Sequence, residues 1–308
     1  MTTNYAGRLS AVSKSFGDTT VLSNASFSIP AGKFVVLLGP NGSGKTTSVR
    51  LLTGLLSPNK GEVELLGEHV NQQNADKLRA RIGVQTDGGL YDRLTAYENL
   101  DLWGELYGVD PAKRKAKIEE IFDFFGLGER RNTPVGAFSK GMRQQIALGR
   151  ALIHDPELLI IDEPTSGLDP LMADKFLHYV HNLQRTTGMS VLMATHRLEM
   201  VDEIANEVVI LNHGCIRLQK SVDELLGEGV KRVVVTPENL QLPELDADAH
   251  RQSLVAAGLW PLIAAGQRMY EATVPLGELA NHEISAYLPL RRSIRDIYAA
   301  VIEGESNE

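Results

Sequence analysis

The stretch Gly39-Pro40-Asn41-Gly42-Ser43-Gly44-Lys45-Thr46-Thr47 decides the fold of this chain. It fits the pattern G-x-x-x-x-G-K-[ST], in which glycines let successive backbone N–H groups converge on one anion. Lys45 would add a mobile positive charge for the β- and γ-phosphates, and Thr46 a hydroxyl for Mg²⁺. The apolar run Phe34–Leu38 before it predicts a buried strand, and a helix of about 10 residues is predicted after it. The stretch therefore predicts a loop that binds nucleotide phosphates, called the phosphate loop below.

The composition is typical of a soluble globular protein. The chain has 308 residues, of which 43% are hydrophobic and 23% charged, enough for one large domain or two smaller ones. Its one cysteine, Cys215, excludes an intrachain disulfide and fits a reducing compartment. No apolar run has the length of a signal peptide or of a membrane span. We therefore expect a cytoplasmic chain that does not cross a membrane by itself.

Negative charge is concentrated toward the C-terminus. The net charge is −8, with 24 basic against 25 acidic residues in 1–220 and 7 against 14 in 221–308. Such an acidic segment is a poor surface for nucleic acids or anionic lipids. No nucleic-acid partner is therefore expected.

Strands alternate with helices over the first 220 residues, which indicates a largely parallel α/β core. Between about 96 and 153 the pattern turns helical, and Ile118, Ile121, Phe122 and Phe125 share one apolar helix face. The predicted strands, besides Phe34–Leu38, are Leu9–Ser13, Val21–Ile29, Gly61–Leu66, Leu158–Ile161, Val191–Ala194 and Val208–Leu211.

The pattern changes after about residue 220. Strands are predicted over Val230–Thr236 and Met269–Val274, and helices near 247–257 and 276–287. A closing amphipathic helix is predicted from the i, i+3, i+4, i+7, i+8 spacing of Ile294, Ile297, Tyr298, Val301 and Ile302. We interpret 221–308 as a small accessory α+β domain that follows a single nucleotide-binding domain over 1–220.

Two carboxylates follow the apolar run Leu158–Ile161. Asp162 leaves a buried strand, where it could hold Mg²⁺ beside the phosphate loop. Glu163, on the other side of the strand end, could polarise an attacking water as a general base. Taken alone, the same pair is as typical of an ordinary acidic turn.

Three further segments carry a family resemblance. Ser139-Lys140-Gly141-Met142-Arg143-Gln144-Gln145 resembles the signature of ATP-binding cassette (ABC) proteins. Ser166-Gly167-Leu168-Asp169 is similar to their D-loop, and Thr195-His196 to their switch histidine. Order and spacing match as well, so the chain resembles an ABC transporter ATPase subunit over about residues 5–220.

The resemblance implies an α/β fold with a P-loop NTPase core of the ABC type. It implies an antiparallel β subdomain and a helical subdomain over about 96–153, before the C-terminal accessory domain. Ser139 and Gly141 would face ATP bound on a partner subunit, and Asp169 would couple the two sites. His196 would contact the γ-phosphate. Phe16 would stack on adenine, for which a buried aromatic is the alternative.

The sequence departs from the family pattern at two places. Lys140 stands where glycine is usual in the signature, and Met142 where glutamine is usual. The family's Q-loop glutamine would fall on Asp87, whereas the nearest glutamine, Gln85, lies two residues earlier. Either side chain could reach Mg²⁺ or its water, and the assignment stays open.

The function implied by the resemblance is ATP hydrolysis, with Mg²⁺, at a head-to-tail dimer of two copies. The dimer would drive a separate integral membrane permease and so lie peripherally on the inner face of the cell membrane. The Leu90–Thr95 run, the Ser139–Met142 segment and the C-terminal extension resemble the ATPases of ABC-2-type exporters. The alternative is a soluble ABC-type ATPase that acts on the ribosome or nucleic acid. Such proteins usually carry two cassettes or long coiled-coil insertions, and neither is found in this sequence.

Overall fold

The structure is a computed structural model that describes residues 5–85, 88–227, 230–235, 259–264, 267–275 and 293–303. The chain divides into two compact units, Met1–Ser221 and Val222–Glu308. Asp87, the predicted helices near 247–257 and 276–287, and Thr236 lie outside the described residues.

The first unit contains both strands and helices. In chain order they are β1 (Tyr5–Phe16), β2 (Thr19–Pro30), β3 (Phe34–Leu38), α1 (Lys45–Leu52), β4 (Lys60–Leu65), β5 (Glu68–His69), α2 (Ala75–Arg79), β6 (Ile82–Gln85), α3 (Ala96–Leu106), α4 (Pro111–Phe125), α5 (Lys140–Leu152), β7 (Leu158–Asp162), α6 (Pro170–Thr187), β8 (Ser190–Thr195), α7 (Val201–Ile204), β9 (Glu207–Asn212) and β10 (Cys215–Ser221).

A six-stranded sheet forms the centre of this unit, in the order β10-β9-β3-β8-β7-β6. Every neighbouring pair is parallel except β9 with β10. Strand β3 is buried at all five positions and β7 at its first four, as expected for parallel strands covered on both faces. The carboxyl ends of β3, β7 and β8 therefore meet at one edge, which carries the phosphate loop, Asp162 and Thr195.

A second sheet, in the order β2-β1-β4-β5, is antiparallel. Its first two strands are longer than the predicted Leu9–Ser13 and Val21–Ile29. Strand β1 is bulged, with a register shift between Leu9 and Val12 and with Ala11 at φ 50°. Because a bulge breaks the two-residue alternation of side chains, the pattern underestimates the strand's length.

The helices α3, α4 and α5 lie within the predicted helical range. Thr95 and Glu98 form a capping box that starts α3, and Asp110 before Pro111 caps α4. The predicted apolar face of α4 is confirmed, since its four apolar residues are all buried: Ile118, Ile121, Phe122 and Phe125.

Strand β6 is an edge strand, and side chains from α5 and the residues after it cover two of its carbonyls. Arg150 Nη2 donates to the Val84 carbonyl at 2.8 Å, and His154 Nε2 lies 3.1 Å from the Ile82 carbonyl. Burial lowers the pKa of both side chains. The helix that begins at Lys140 is thus fastened to the sheet near its other end.

The second unit contains α8 (Val222–Gly227), β11 (Val230–Val235), β12 (Leu259–Ala264), β13 (Gln267–Pro275) and α9 (Ile294–Glu303). Its strands form an antiparallel sheet in the order β11-β13-β12. The strand predictions near 230 and 269 and the closing helix are confirmed. The strand β12 was not predicted, and Pro261 within it weakens the strand pattern. Among the described residues, every helix is too short or too polar to span a lipid bilayer.

Candidate active site

The phosphate loop lies between β3 and α1, as predicted. A side chain at Gly39 would come within 2.3 Å of the Leu211 carbonyl oxygen, so only glycine fits this position. Gly44 precedes α1 with φ 111°, a conformation that other residues rarely adopt. These two glycines let the backbone turn sharply into the start of a helix, whose N–H groups attract an anion.

Lys45 is buried at 6% exposure, and its ammonium is fully engaged. Nζ donates to the carbonyls of Gly39 at 2.8 Å and Pro40 at 3.2 Å. The same atom lies 3.5 Å from Glu163 Oε1. The free-energy cost of burying this charge is thus offset by an acidic partner and two backbone oxygens.

Ser43 contributes a second polar group to the loop. Its side chain is 3% exposed, and Oγ finds no hydrogen-bond partner within the described part of the chain. A buried hydroxyl without a partner is unfavourable, which fits a loop built to receive phosphate oxygens. The other loop residues named in the sequence analysis surround it: Asn41 and Gly42 are exposed, and Pro40 and Thr47 are half-buried.

Thr46 and Asp162 meet across the gap between α1 and β7. Thr46 Oγ1 donates to Asp162 Oδ2 at 2.9 Å. A hydroxyl and a carboxylate oxygen are hard ligands of the kind that Mg²⁺ prefers. The two predicted metal ligands are therefore neighbours, and their donor set fits this cation.

Glu163 lies at the centre of a charged cluster. His196 Nδ1 is 2.8 Å from Glu163 Oε1, and Thr195 Oγ1 donates to Oε2 at 3.2 Å. With Lys45 near Oε1, the three predicted catalytic residues, Lys45, Glu163 and His196, come together. Glu163 has φ 50°, and its N–H donates to the Ala194 carbonyl at 2.8 Å. A strained backbone of this kind is typical of functional sites.

Thr195 is a functional candidate for which no role was predicted. It is the last residue of β8, 2% exposed, and its hydroxyl also accepts from the Arg197 N–H at 3.1 Å. The sequence could have indicated this residue, because its hydroxyl lies at the carboxyl end of a predicted buried strand, directly before His196. Its position orients the Glu163 carboxylate.

The signature and D-loop residues begin two helices. Ser139 Oγ accepts from the Met142 N–H at 3.2 Å and caps α5. Asp169 Oδ1 accepts from the Met172 N–H at 3.0 Å and caps α6. In the described structure, neither side chain forms a hydrogen bond or ion pair with Lys45 or Glu163. The Ser139 and Asp169 side chains of this chain therefore do not contact the charged cluster.

Phe16 ends β1 and is exposed at 47%. The Lys14 ammonium lies 5.2 Å from the centre of its ring. The alternative of a buried aromatic is therefore wrong, whereas stacking on adenine stays a prediction.

The Q-loop assignment stays open. Gln85 ends β6, opposite Ile161 of β7, and is 0% exposed. Neither polar atom of its amide has a hydrogen-bond partner among the described residues. Asp87 lies outside them.

Comparisons with known proteins give a consistent result. A family model described as ABC transporter matches residues 22–166. The chain is 39% identical over 204 residues to the ABC transporter ATP-binding protein NatA of Bacillus subtilis, covering 66% of this chain and 82% of that protein. It is 37% identical to the linearmycin resistance ATP-binding protein LnrL of the same organism, covering 66% and 65%. It is 39% identical to the Nod factor export ATP-binding protein I of Sinorhizobium fredii, covering 68% and 61%.

Solved structures are similar in fold. An ATP-binding subunit of an ABC transporter superposes with a TM-score of 0.67 at 28% identity, covering 72% of this chain and 92% of that one. A dimeric ATP-binding cassette in a post-hydrolysis state, bound to ADP and Pi, superposes with a TM-score of 0.65 at 25% identity, covering 70% and 98%.

Proposed function

Because this chain belongs to the ABC transporter family, as one of its ATP-hydrolysing ATP-binding subunits, we propose that it drives a separate membrane permease that exports its substrate. The observation that carries the catalytic part is the charged cluster around Glu163. One carboxylate lies within 3.5 Å of the Lys45 ammonium, 2.8 Å of His196 and 3.2 Å of the Thr195 hydroxyl. These contacts, at one edge of the sheet, support a role for Glu163 as the base and for Lys45 and His196 as ligands of the γ-phosphate.

Glu163 acts as the general base in this proposal. It accepts a proton from water while the water oxygen bonds to the γ-phosphorus and the bond to the bridging oxygen breaks, releasing ADP. Lys45, the loop N–H groups and His196 stabilise the charge on the phosphate oxygens. Thr195 holds the Glu163 carboxylate in place.

Thr46 and Asp162 are the proposed holders of Mg²⁺, on the strength of their 2.9 Å contact and their oxygen donors. When bound, the cation would neutralise negative charge on the β- and γ-phosphates. Gln85 or Asp87 is the further candidate ligand. The Gln85 amide is buried and has no hydrogen-bond partner among the described residues, which favours a role for it beyond packing.

A second copy of the chain would complete the site. Ser139 and Gly141 begin α5, where backbone N–H groups and the helix dipole favour an anion. We propose that they contact ATP bound by the partner's phosphate loop, and that Asp169 connects the two sites. The solved dimeric cassette bound to ADP and Pi supports this arrangement by similarity.

Helix α3 and the residues before it are the proposed permease-docking surface. Tyr91 and Leu106 are exposed at 49% and 63%. The rings of Tyr91 and Trp103 stack at 6.4 Å, and Trp103 lies 6.0 Å from Tyr107. Exposed aromatic and aliphatic groups of this kind favour protein contacts. Docking there would place the chain on the cytoplasmic face of the membrane.

The proposed domain organisation follows the two units. We propose an ATP-binding domain over 1–220, with its helical subdomain at about 96–153, and an accessory domain over 221–308. The direction of transport rests on similarity to a protein named for Nod factor export.

The test is recovery of the tagged chain from gently solubilised native membranes, with ATPase activity measured on the isolated complex. We expect an integral membrane protein at equal stoichiometry and Mg²⁺-dependent phosphate release that Glu163→Gln abolishes. Recovery only in the soluble fraction, without a membrane protein, would contradict the permease role. Phosphate release unchanged by Glu163→Gln would contradict the site.

A further inference from the structure

The start of α5 and the D-loop of the same chain pack directly against each other. Lys140 Nζ donates to Ser166 Oγ at 3.2 Å. A methyl group placed on Gly167 would lie 2.7 Å from Lys140 Cδ, so the lysine side chain runs across the glycine backbone. At the next position, a methyl group on Gly141 would lie 3.1 Å from Leu168 Cδ2. Two residues of the signature thus touch three of the D-loop.

A lysine at position 140 is unfavourable by the electrostatics of the helix alone. It is the first residue of α5, and the positive end of a helix dipole disfavours a cation in the first turn. Glycine is usual at this position in ABC proteins generally, and the segment with lysine resembles the ABC-2-type exporter ATPases, so the lysine calls for a physical explanation. A residue that breaks a local rule calls for a compensating interaction, and the contacts with Ser166 and Gly167 supply it.

The contacts of Lys140 connect the starts of α5 and α6, both of which have a role in the proposed mechanism. Ser139, directly before Lys140, caps α5, and Asp169, three residues after Ser166, caps α6. Within one chain, the Lys140–Ser166 bond therefore links the signature, which would contact the partner's ATP, to the D-loop.

We propose that Lys140 is a positioning residue that holds the signature and the D-loop of one chain as a single unit when the dimer closes on ATP. This inference rests on the proposed function. Lys140 acts through Ser139 and Asp169, and the bond to Ser166 carries the effect. Losing either partner of this bond weakens closure without altering nucleotide binding by the phosphate loop.

The experiment measures ATP-dependent dimerisation by sedimentation in a Glu163→Gln background, which retains ATP. Lys140→Met keeps the methylene groups and loses the donor, and Ser166→Ala loses the acceptor. We expect each to raise the dimer dissociation constant about three- to tenfold, the range for the net contribution of one ordinary intramolecular hydrogen bond. The double variant is expected to match the single variants, since both remove the same bond.

Three controls separate positioning from simple damage. Lys115→Met, at an exposed lysine of α4, should leave the dimer unchanged. Lys140→Arg keeps a donor and should restore dimerisation to within about twofold of the parent. With Glu163 restored, Lys140→Met should raise the half-saturating ATP concentration and leave kcat at saturating ATP unchanged.

Three results would overturn the proposal. Additive effects of the two substitutions, or an effect of Lys140→Met with none of Ser166→Ala, would mean that Lys140 does not act through this bond. A Glu163→Gln parent that stays monomeric in ATP would overturn the proposed dimeric mechanism, and this positioning role with it. The two failures are distinguished by the behaviour of the parent alone.

Discussion

The edge of the central sheet at which its parallel strands end and the starts of α5 and α6 differ in how their functional residues are arranged. At the sheet edge, residues from distant parts of the chain meet around the Glu163 carboxylate, with Lys45 and His196 at 3.5 Å and 2.8 Å. At the helix starts, Ser139 and Asp169 bond to their own helices. The ends of parallel strands bring side chains of one chain close together. The N-terminus of a helix instead presents backbone N–H groups, which can bind an anion held by another molecule. Nucleotide binding by the first region can therefore be tested in a monomer, whereas hydrolysis and the role of the second region require a dimer.

The largest expected effect is at the sheet edge. Glu163→Gln should lower kcat by about 100-fold or more, because general-base catalysis typically contributes that much, while ATP binding persists. Phosphate release at saturating Mg²⁺ and ATP measures it. The exposed Glu199→Gln is the matched control and should retain activity. Activity of Glu163→Gln equal to that of the control would exclude the base.

A smaller effect is expected from Lys45→Met, which keeps much of the side-chain length without the charge. Loss of a charged hydrogen-bond donor should weaken ATP binding about 10- to 100-fold. Equilibrium titration of the monomer with a fluorescent ATP analogue measures it. Lys33→Met, at an exposed lysine just before β3, should bind normally. Equal affinities of the two variants would contradict the phosphate-loop assignment.

The helix start is tested by two variants of Ser139 in the Glu163→Gln background. Ser139→Ala loses the cap of α5, at a cost of about 1 kcal/mol in the free energy of unfolding. Ser139→Asp keeps a good cap but places a negative charge where a phosphate is expected. We expect Ser139→Asp to be as stable as the parent and yet to form at least about 10-fold less dimer with ATP. Sedimentation and chemical denaturation measure the two quantities.

If Ser139→Asp dimerised as well as its parent, the helix start would not face ATP. The comparison between the two regions would then fail, because neither would need a second chain.

The smallest effect concerns the other end of α5. Burial lowers the pKa of His154, so the folded state resists protonation and the unfolded state takes up the proton first. The free energy of unfolding should therefore fall as the pH drops below about 6.5, by at most about 1.4 kcal/mol per pH unit for this one group. Denaturation at pH 7.5, 6.5 and 5.5 measures it.

His154→Gln retains a donor for the Ile82 carbonyl but does not titrate. Its free energy of unfolding should depend less on pH than that of the parent over the same range. Equal dependence in both proteins would show that His154 does not contribute.

Much of the fold and the site could be predicted where local sequence determines geometry. The phosphate loop, the strand ending at Asp162 and the apolar face of α4 each depend on neighbouring residues and matched the structure. Strand β1 exceeded its predicted length because its bulge hides the alternation. The orientation of Glu163 by Thr195, and the bond from Lys140 to Ser166, join segments 32 and 26 residues apart. The periodicity of apolar residues in the sequence cannot predict such contacts, since they depend on how the helices and strands pack.

The outer edge of β6 has a consequence for solubility. An edge strand with open carbonyls can pair with a strand from another molecule, which is a route to aggregation. Arg150 and His154 occupy the Val84 and Ile82 carbonyls of this edge. The side chains that fasten α5 to the sheet therefore also deny those two acceptors to a foreign strand, and they protect the folded chain from edge-to-edge association.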